Sequence, residues 1–267
     1  MTIAPVNGLQ LYYEEHGSGH PLVLLHGGLH TIGLSFGALL PRLAASHRVI
    51  AVELQGHGRT ADIDRVPTYP DLADDVVALL DHLGIERADV FGFSLGGLVA
   101  TELGLRHPTR VDRLVLAATH YRPEGYHDFS DPASVRMPTQ AEFAEMEQEY
   151  RRQAPDPDHW DDFAAKLNGI VHTAPGWSAD DMRRIAAPVL LVIGDTDFVR
   201  IEHAAEMLEL IPDAQLAVLP GTRHTELMLR ADVLAPLVEH FLTSGGSRVD
   251  TRAMARVSTH EAVSRGA

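Results

Sequence analysis

Three residue types that cooperate in nucleophilic catalysis follow one another along this sequence, as Ser94, Asp197 and His224. A serine hydroxyl becomes a good nucleophile when a histidine accepts its proton, and a carboxylate can hold that histidine in the required tautomer. Residues 92–96 read Gly-Phe-Ser-Leu-Gly, a G-x-S-x-G pattern that is typical of a sharp turn between a strand and a helix. Such a turn exposes its serine, and the pattern therefore indicates a nucleophile.

The residues around Ser94 are predicted to form a strand, a turn and a helix. An apolar run at residues 88–91 precedes the serine, and a helix-like segment follows it. Gly92 and Gly96 remove the side chains that would collide in so tight a turn. The N–H of Leu95 would begin the helix and face the negative charge that forms on an attacked carbonyl, so we expect Leu95 to contribute to an oxyanion hole.

Buried strands alternate with helices along most of the chain. Continuous apolar runs are typical of strands covered on both faces, and alternation of such strands with helices predicts an α/β fold, a mostly parallel sheet with helices on both faces. Residues 2–6 and 9–15 are predicted to pair as an antiparallel hairpin through an Asn-Gly turn, and residues 35–45 to form one helix. The predicted buried strands include residues 21–25, 49–52, 88–91, 114–118 and 188–193.

The alternation stops between residues 121 and 178. This stretch contains several prolines, both tryptophans and two predicted helices, but no buried strand. We predict that it is a helical cap inserted into a core formed by residues 1–120 and 179–243, and that the polar residues 244–267 form a mobile tail. Four side chains of the predicted cap could line a substrate pocket or form a small core of their own, namely Phe143, Met146, Trp160 and Trp177.

The three candidate residues each lie directly beyond a predicted strand. Ser94 follows the strand at residues 88–91, Asp197 the strand at 188–193 and His224 the strand at 215–219. Because parallel strands end at one edge of their sheet, we expect all three side chains to converge there.

These motifs together resemble the α/β-hydrolase superfamily, in particular its capped, esterase-like members with a serine nucleophile. His-Gly-Gly at residues 26–28 is similar to the oxyanion loop and residues 92–96 to the nucleophile elbow. Gly-Asp-Thr-Asp at 194–197 resembles the acid turn, and Gly-Thr-Arg-His at 221–224 the histidine loop. The resemblance extends over most of the chain.

The resemblance implies a role for each residue of the proposed triad. Ser94 attacks, His224 takes and returns the proton, and Asp197 orients the histidine and stabilises its charged form. Asp195 is the alternative acid, although we expect it to bind amides of its own turn.

The resemblance also implies a second oxyanion donor beside Leu95. In similar enzymes the donor is the residue after His-Gly, which is Gly28 here, with Leu29 as the alternative. His26 is expected to brace this loop through hydrogen bonds, and His57 to be a structural residue of the loop that follows the next strand.

The leading functional hypothesis is a cofactor-free serine hydrolase that cleaves a carboxylic ester or a similar acyl compound through an acyl-enzyme. Similar triads also hydrolyse carbon–carbon bonds, lactones or amides and form peracids, and these alternatives stay open. Serine at position 94 argues against the dehalogenase and epoxide hydrolase branches, which need a carboxylate nucleophile. A non-catalytic ligand receptor on the same scaffold is the alternative from another class.

The composition of the chain limits the kinds of molecule that it is expected to bind. The 267 residues include no cysteine, and a formal net charge of −15 disfavours nucleic acid and anionic membranes. The 16 histidines are scattered, so no metal site is expected. A small-molecule substrate and a cytoplasmic location are expected, since the first residues show no secretory signal. The oligomeric state is left open between monomer and homodimer.

Overall fold

The computed structural model describes residues 2–128 and 137–244, in which an eight-stranded sheet carries helices on both faces. The strands are β1 Thr2–Val6, β2 Leu9–His16, β3 His20–Leu25, β4 His47–Val52, β5 Ala88–Phe93, β6 Val111–Ala117, β7 Val189–Gly194 and β8 Ala214–Leu219. The helices are α1 Ile32–Phe36, α2 Leu40–Leu43, α3 Tyr69–His82, α4 Leu95–Arg106, α5 Gln140–Gln153, α6 Trp160–Thr173, α7 Ala179–Arg183, α8 Ile201–Leu210 and α9 Ala231–Ser244.

The strand order is β1-β2-β4-β3-β5-β6-β7-β8. The first two strands pair antiparallel, with Thr2 opposite Tyr13, and β2 is antiparallel to β4. Every later pair is parallel. The predicted α/β fold class and the N-terminal hairpin are thereby confirmed. Asn7 and Gly8 at the hairpin turn both have positive φ, 47° and 85°, as a two-residue turn of this kind requires.

The two faces of the sheet form separate apolar cores because side chains alternate along each strand. In β3, Leu22 and Leu24 face a core shared with α1, α2 and α9, whereas Val23 and Leu25 face a core shared with α3, α4 and α8. All four leucine and valine side chains are fully buried. This double burial explains why the parallel strands read as continuous apolar runs rather than as alternating ones.

The helix predicted over residues 35–45 is divided into two short helices. Thr31 caps α1 through its side chain, which accepts from the Leu34 N–H, and Pro41 occupies the first turn of α2. A proline inside a continuous helix would lack its N–H and collide with the carbonyl four residues earlier. The chain therefore turns at residues 37–39 and starts a new helix.

The segment between β6 and α7 contains α5 and α6 and, among its described residues, no strand. These are the two helices that the sequence predicts for this stretch. Their buried side chains, Met146 and Phe163 among them, join the core that also holds α3 and α4. The predicted tail at 244–267 lies outside the described residues except for Ser244, which ends α9. None of the helices in the described ranges is both long and apolar enough to cross a membrane.

Candidate active site

Ser94 lies at the turn from β5 to α4 in a strained backbone conformation, with φ 52° and ψ −114°. A Cβ atom at Gly92 would lie 2.1 Å from the Gly96 carbonyl oxygen, and one at Gly96 would lie 2.0 Å from the carbonyl oxygen of Leu25. Only glycine fits at either position. The two glycines thus permit the sharp turn that brings the serine hydroxyl to the end of the sheet.

The structure brings Ser94, Asp197 and His224 into one hydrogen-bonded chain. His224 Nδ1 lies 2.9 Å from Asp197 Oδ1, and His224 Nε2 lies 2.9 Å from Ser94 Oγ. A carboxylate can only accept, so Nδ1 carries the proton and Nε2 accepts from the serine hydroxyl. The Asp197 side chain is fully buried and His224 is 6% exposed. This arrangement can remove a proton from the serine when its oxygen attacks.

The two acids of the β7 turn have different partners. Asp197 Oδ1 also accepts from the Val199 N–H at 2.8 Å, which fixes the carboxylate beside the histidine. Asp195 Oδ1 accepts from the Thr222 N–H at 3.2 Å. This bond joins the acid turn to the histidine loop, and the expected binding of amides of its own turn by Asp195 stays a prediction.

All three candidate oxyanion residues line the same cavity as Ser94, and a Cβ at Gly28 would lie 3.9 Å from the Leu95 Cβ. The Leu29 N–H instead donates to His57 Nε2 at 3.2 Å. That bond corrects the alternative prediction for Leu29, because its amide is already engaged.

His26 and His57 connect the loops beneath this site. The His26 ring contacts the Gly27 carbonyl oxygen through Nδ1 at 2.8 Å and accepts from the Leu54 N–H through Nε2 at 3.0 Å. The two rings lie 4.6 Å apart, centroid to centroid. Burial lowers the pKa of His26 to about 4 and the pKa of His57 well below its usual range. Both rings are therefore neutral near pH 7 and act as hydrogen-bonding braces.

A cavity of about 200 Å³ opens beside Ser94. Its wall is largely apolar and is formed by the loops after β3 and β7, by α4 and by the segment that includes α5 and α6. The predicted pocket residues Phe143 and Met146 belong to this wall. Other residues of the wall include Leu98, Tyr126, Met137, Ala164, Leu167, Asn168, Phe198 and Thr225.

Trp160 and Trp177 do not line this cavity, which corrects the prediction that they bind substrate. Trp160 is 7% exposed and packs against Tyr150, with ring centroids 5.3 Å apart. Trp177 stacks on Tyr69 and donates its indole N–H to Glu102 at 2.7 Å. Trp160 belongs to the large core that also holds α3 and α4, and Trp177 packs against that core, so the two tryptophans do not form a separate small core of the inserted segment either.

Two residues that contact the site were not singled out from the sequence. The Phe198 ring stacks on the His224 ring with centroids 3.8 Å apart, and its position directly after Asp197 was a usable signal. His30 lines the cavity, and burial lowers its pKa to about 3. Its Nδ1 lies 3.1 Å from Ser35 Oγ, which in turn accepts from the Gly27 N–H.

One group of potential metal ligands occurs in the described part of the chain, formed by His20, Asp89 and Asp112. It lies at the start of β3, β5 and β6, at the opposite edge of the sheet from Ser94. Arg113 contacts both carboxylate oxygens of Asp89 at 3.3 Å, and Arg87 bonds to Asp112 at 2.6 Å. These guanidinium groups already balance the carboxylates, so the group is an ion-pair cluster.

The fold and this site define the class of protein. The sequence model of the alpha/beta hydrolase fold family matches residues 20–178, and the chain belongs to that family. Several of its relatives are named hydrolases or esterases, and the chain is accordingly an enzyme of the α/β-hydrolase family.

Individual relatives carry the names of different activities. A pimeloyl-acyl-carrier protein methyl ester esterase from Aeromonas hydrophila is 29% identical over 86% of this chain and 98% of its own length. A 2-hydroxymuconate semialdehyde hydrolase from Pseudomonas sp. strain CF600 is 39% identical, over 41% of this chain and 40% of its own length.

Solved structures resemble the whole described fold. The meta-cleavage product hydrolase of Pseudomonas fluorescens IP01 has a TM-score of 0.78 and 22% identity, over 91% of this chain and 98% of that one. The enol-lactonase of Burkholderia xenovorans LB400 has a TM-score of 0.74 and 25% identity, over 91% of this chain and all of that one.

Proposed function

We propose that this protein is a cofactor-free serine hydrolase that cleaves a small, neutral carboxylic ester through an acyl-enzyme. The observation that carries the proposal is the hydrogen-bonded chain from Asp197 through His224 to Ser94, at the wall of an apolar cavity. The substrate is a small molecule, and the segment at residues 121–178 acts as a cap that shapes its binding site.

In the proposed reaction, Ser94 Oγ attacks the ester carbonyl carbon while His224 Nε2 accepts the hydroxyl proton. The tetrahedral intermediate then loses the alcohol, which takes that proton from His224, and an acyl-serine ester remains. Water attacks this ester in the second half-reaction. His224 again accepts a proton and returns it to Ser94 as the carboxylic acid leaves. Asp197 stabilises the imidazolium in both halves and stays ionised.

The negative oxygen of each tetrahedral intermediate needs hydrogen-bond donors. The N–H groups of Gly28 and Leu95 are proposed for this role, and the N-terminus of α4 adds the positive end of its dipole. The Leu29 amide contributes indirectly, since its bond to His57 holds the loop that carries Gly28.

The character of the cavity supports a neutral substrate. The lining residues that the structure describes include histidines but neither lysine nor arginine. A carboxylate substituent would lose its hydration there without gaining an ion-pair partner. The volume of about 200 Å³ is small for a ligand cavity and favours a short acyl group.

A lactone is the second candidate substrate. A lactone is a cyclic ester, so the same proton transfers would open it, and the solved enol-lactonase provides a specific reason to test one. Carbon–carbon hydrolysis, amide hydrolysis and peracid formation rest only on the shared triad.

The proposal is tested by steady-state hydrolysis of p-nitrophenyl acetate, p-nitrophenyl butyrate and γ-butyrolactone by the wild type and Ser94→Ala. We expect kcat to fall about 10³-fold or more in the variant, since the hydroxyl supplies the chemistry. Far-UV circular dichroism and the melting temperature should stay as in the wild type. Undiminished hydrolysis by a folded Ser94→Ala would refute the proposal.

A further inference from the structure

A single carboxylate joins the start of α5 to the histidine loop. Glu142 Oε2 accepts from the Thr139 N–H at 2.6 Å and from its hydroxyl at 2.7 Å, which completes a capping box. The other oxygen, Oε1, accepts from Arg223 Nη2 at 3.1 Å and from the Thr225 hydroxyl. Glu142 therefore bonds to the residues on both sides of His224.

This contact lies at the mouth of the cavity. Met137 and Phe143 both line the cavity and are each 39% exposed, so the cavity wall reaches the surface of the described structure where α5 begins, and we call this part of the wall the mouth. Thr225 lines it from the histidine loop. Glu142 directly precedes Phe143 in the sequence. Its bonds to the histidine loop therefore connect the α5 side of the mouth to the side that carries Thr225.

Five hydrogen bonds from three residues reach this carboxylate, the fifth being from Arg223 Nη1 to Oε2 at 3.3 Å. An isolated ion pair at a surface contributes little, but Glu142 shares its oxygens between a helix cap and two loop side chains. Its side chain is 21% exposed. The Thr225 hydroxyl, the Thr139 groups and Arg223 lower the pKa of Glu142 to about 2 against the opposing effect of burial, so the group is ionised at neutral pH.

We propose that Glu142 is a positioning residue that fixes α5 against the histidine loop and thereby sets the width of the cavity mouth. The expected effect of this contact on KM and kcat rests on the proposed function. Release of this contact lets α5 move away, and Phe143 and Met146 then hold the acyl group less closely. Because such contacts act on the bound ester and the transition state alike, their loss raises KM more than it lowers kcat.

The experiment separates this tether from the helix cap. Glu142→Ala removes both. Arg223→Gln removes the ionic part of the tether, together with the bonds from the Arg223 guanidinium to Glu226, and leaves the bonds between Thr139 and Glu142 intact. Glu145→Gln is the matched control, because Glu145 is an exposed carboxylate of the same helix and is absent from the cavity wall. The double variant Glu142→Ala/Arg223→Gln completes a double-mutant cycle.

Two readouts are collected on the full chain: amide hydrogen exchange of peptides from α5, and kcat and KM for p-nitrophenyl butyrate. We expect both tether variants to exchange about tenfold faster in α5 and to show a KM about fivefold higher, with non-additive effects in the double variant. Glu145→Gln should match the wild type. Faster exchange in Glu142→Ala alone would mean that the residue only caps the helix, and the positioning role would be rejected.

Hydrogen exchange requires no substrate, so the two proposals fail separately. If the wild type hydrolysed none of the esters while Arg223→Gln still released α5, the proposed function would fail and the tether would stand. If the esters were hydrolysed but α5 exchanged equally in all variants, the tether would fail.

Discussion

At the scale of single residues, the two acids of the β7 turn are distinguished by what they contact. Asp197 bonds to the His224 ring, whereas Asp195 bonds to a backbone amide of the histidine loop. We expect Asp197→Asn to lower kcat about 10³- to 10⁴-fold, because an amide can present its N–H to Nδ1 and stabilise the wrong tautomer.

The matched variant is Asp195→Asn, whose side-chain oxygen can still accept from Thr222, so kcat should change little. Ester hydrolysis by the two purified variants provides the comparison. A larger loss of kcat in Asp195→Asn than in Asp197→Asn would reverse the two assignments.

The buried brace His26 leads to a prediction about pH. Its pKa is about 4 in the folded protein and about 6.5 in an unfolded chain, so the unfolded state binds the proton first as the pH falls. The stability that the neutral ring contributes is therefore fully present above pH 6.5 and is lost toward pH 4. As the pH falls through this window, we expect the free energy of unfolding of the wild type to decrease by about 1.4 kcal/mol per pH unit more than that of His26→Gln.

Urea denaturation of both proteins at several pH values between 7 and 4.5 measures this difference. Glutamine can accept from the Leu54 N–H but does not titrate, and other titrating groups are common to both proteins. A difference in unfolding free energy that stayed constant over the window would contradict the neutral buried ring.

At the scale of secondary-structure elements, α5 contributes to the cavity wall a side chain that can be substituted without changing the catalytic residues. Met146 is 5% exposed and lines the cavity. Met146→Ala should enlarge the acyl site and raise the ratio of kcat/KM for hexanoate over acetate p-nitrophenyl esters about tenfold. Trp177→Phe is the control, because Trp177 lies outside the cavity wall, and its ratio should equal that of the wild type.

Melting temperatures of both variants show whether each remains folded under the assay conditions. An unchanged ratio in Met146→Ala, with the protein folded, would exclude α5 from the selection of the acyl group. The loops after β3 and β4 would then be examined instead.

Elements were predictable where a local pattern determines them. The parallel strands were predicted from their continuous apolar runs, because burial on both faces leaves no polar side in such a strand. The break between α1 and α2 was missed, although Pro41 marks it, because the apolar pattern continues across the turn. Segments with a clear hydrophobic pattern were thus easier to predict than the boundary between two short helices.

At the scale of the whole molecule, the order of the motifs along the chain predicted more of the candidate site than any single contact does. Ser94, Asp197 and His224 could be brought together from the sequence because each follows a strand of one parallel sheet. The bond from Leu29 to His57 joins residues 28 positions apart, and no local pattern indicates it. The tryptophans were ambiguous for a related reason, since a large aromatic side chain packs equally well in a core or in a pocket wall.

In the proposed reaction, Ser94 carries the acyl group during turnover. The direct measurement is rapid mixing of the wild type with p-nitrophenyl butyrate, an acid quench, and mass spectrometry of the digested chain. If deacylation is slower than acylation, we expect a burst of p-nitrophenol approaching one equivalent per chain. We also expect a butyryl group on the peptide that contains Ser94, in an amount that depends on the ratio of the acylation rate to the deacylation rate. Ser94→Ala should show neither. Hydrolysis that proceeds at the wild-type rate in Ser94→Ala, or a butyryl group found only on another residue that turns over at the catalytic rate, would contradict it.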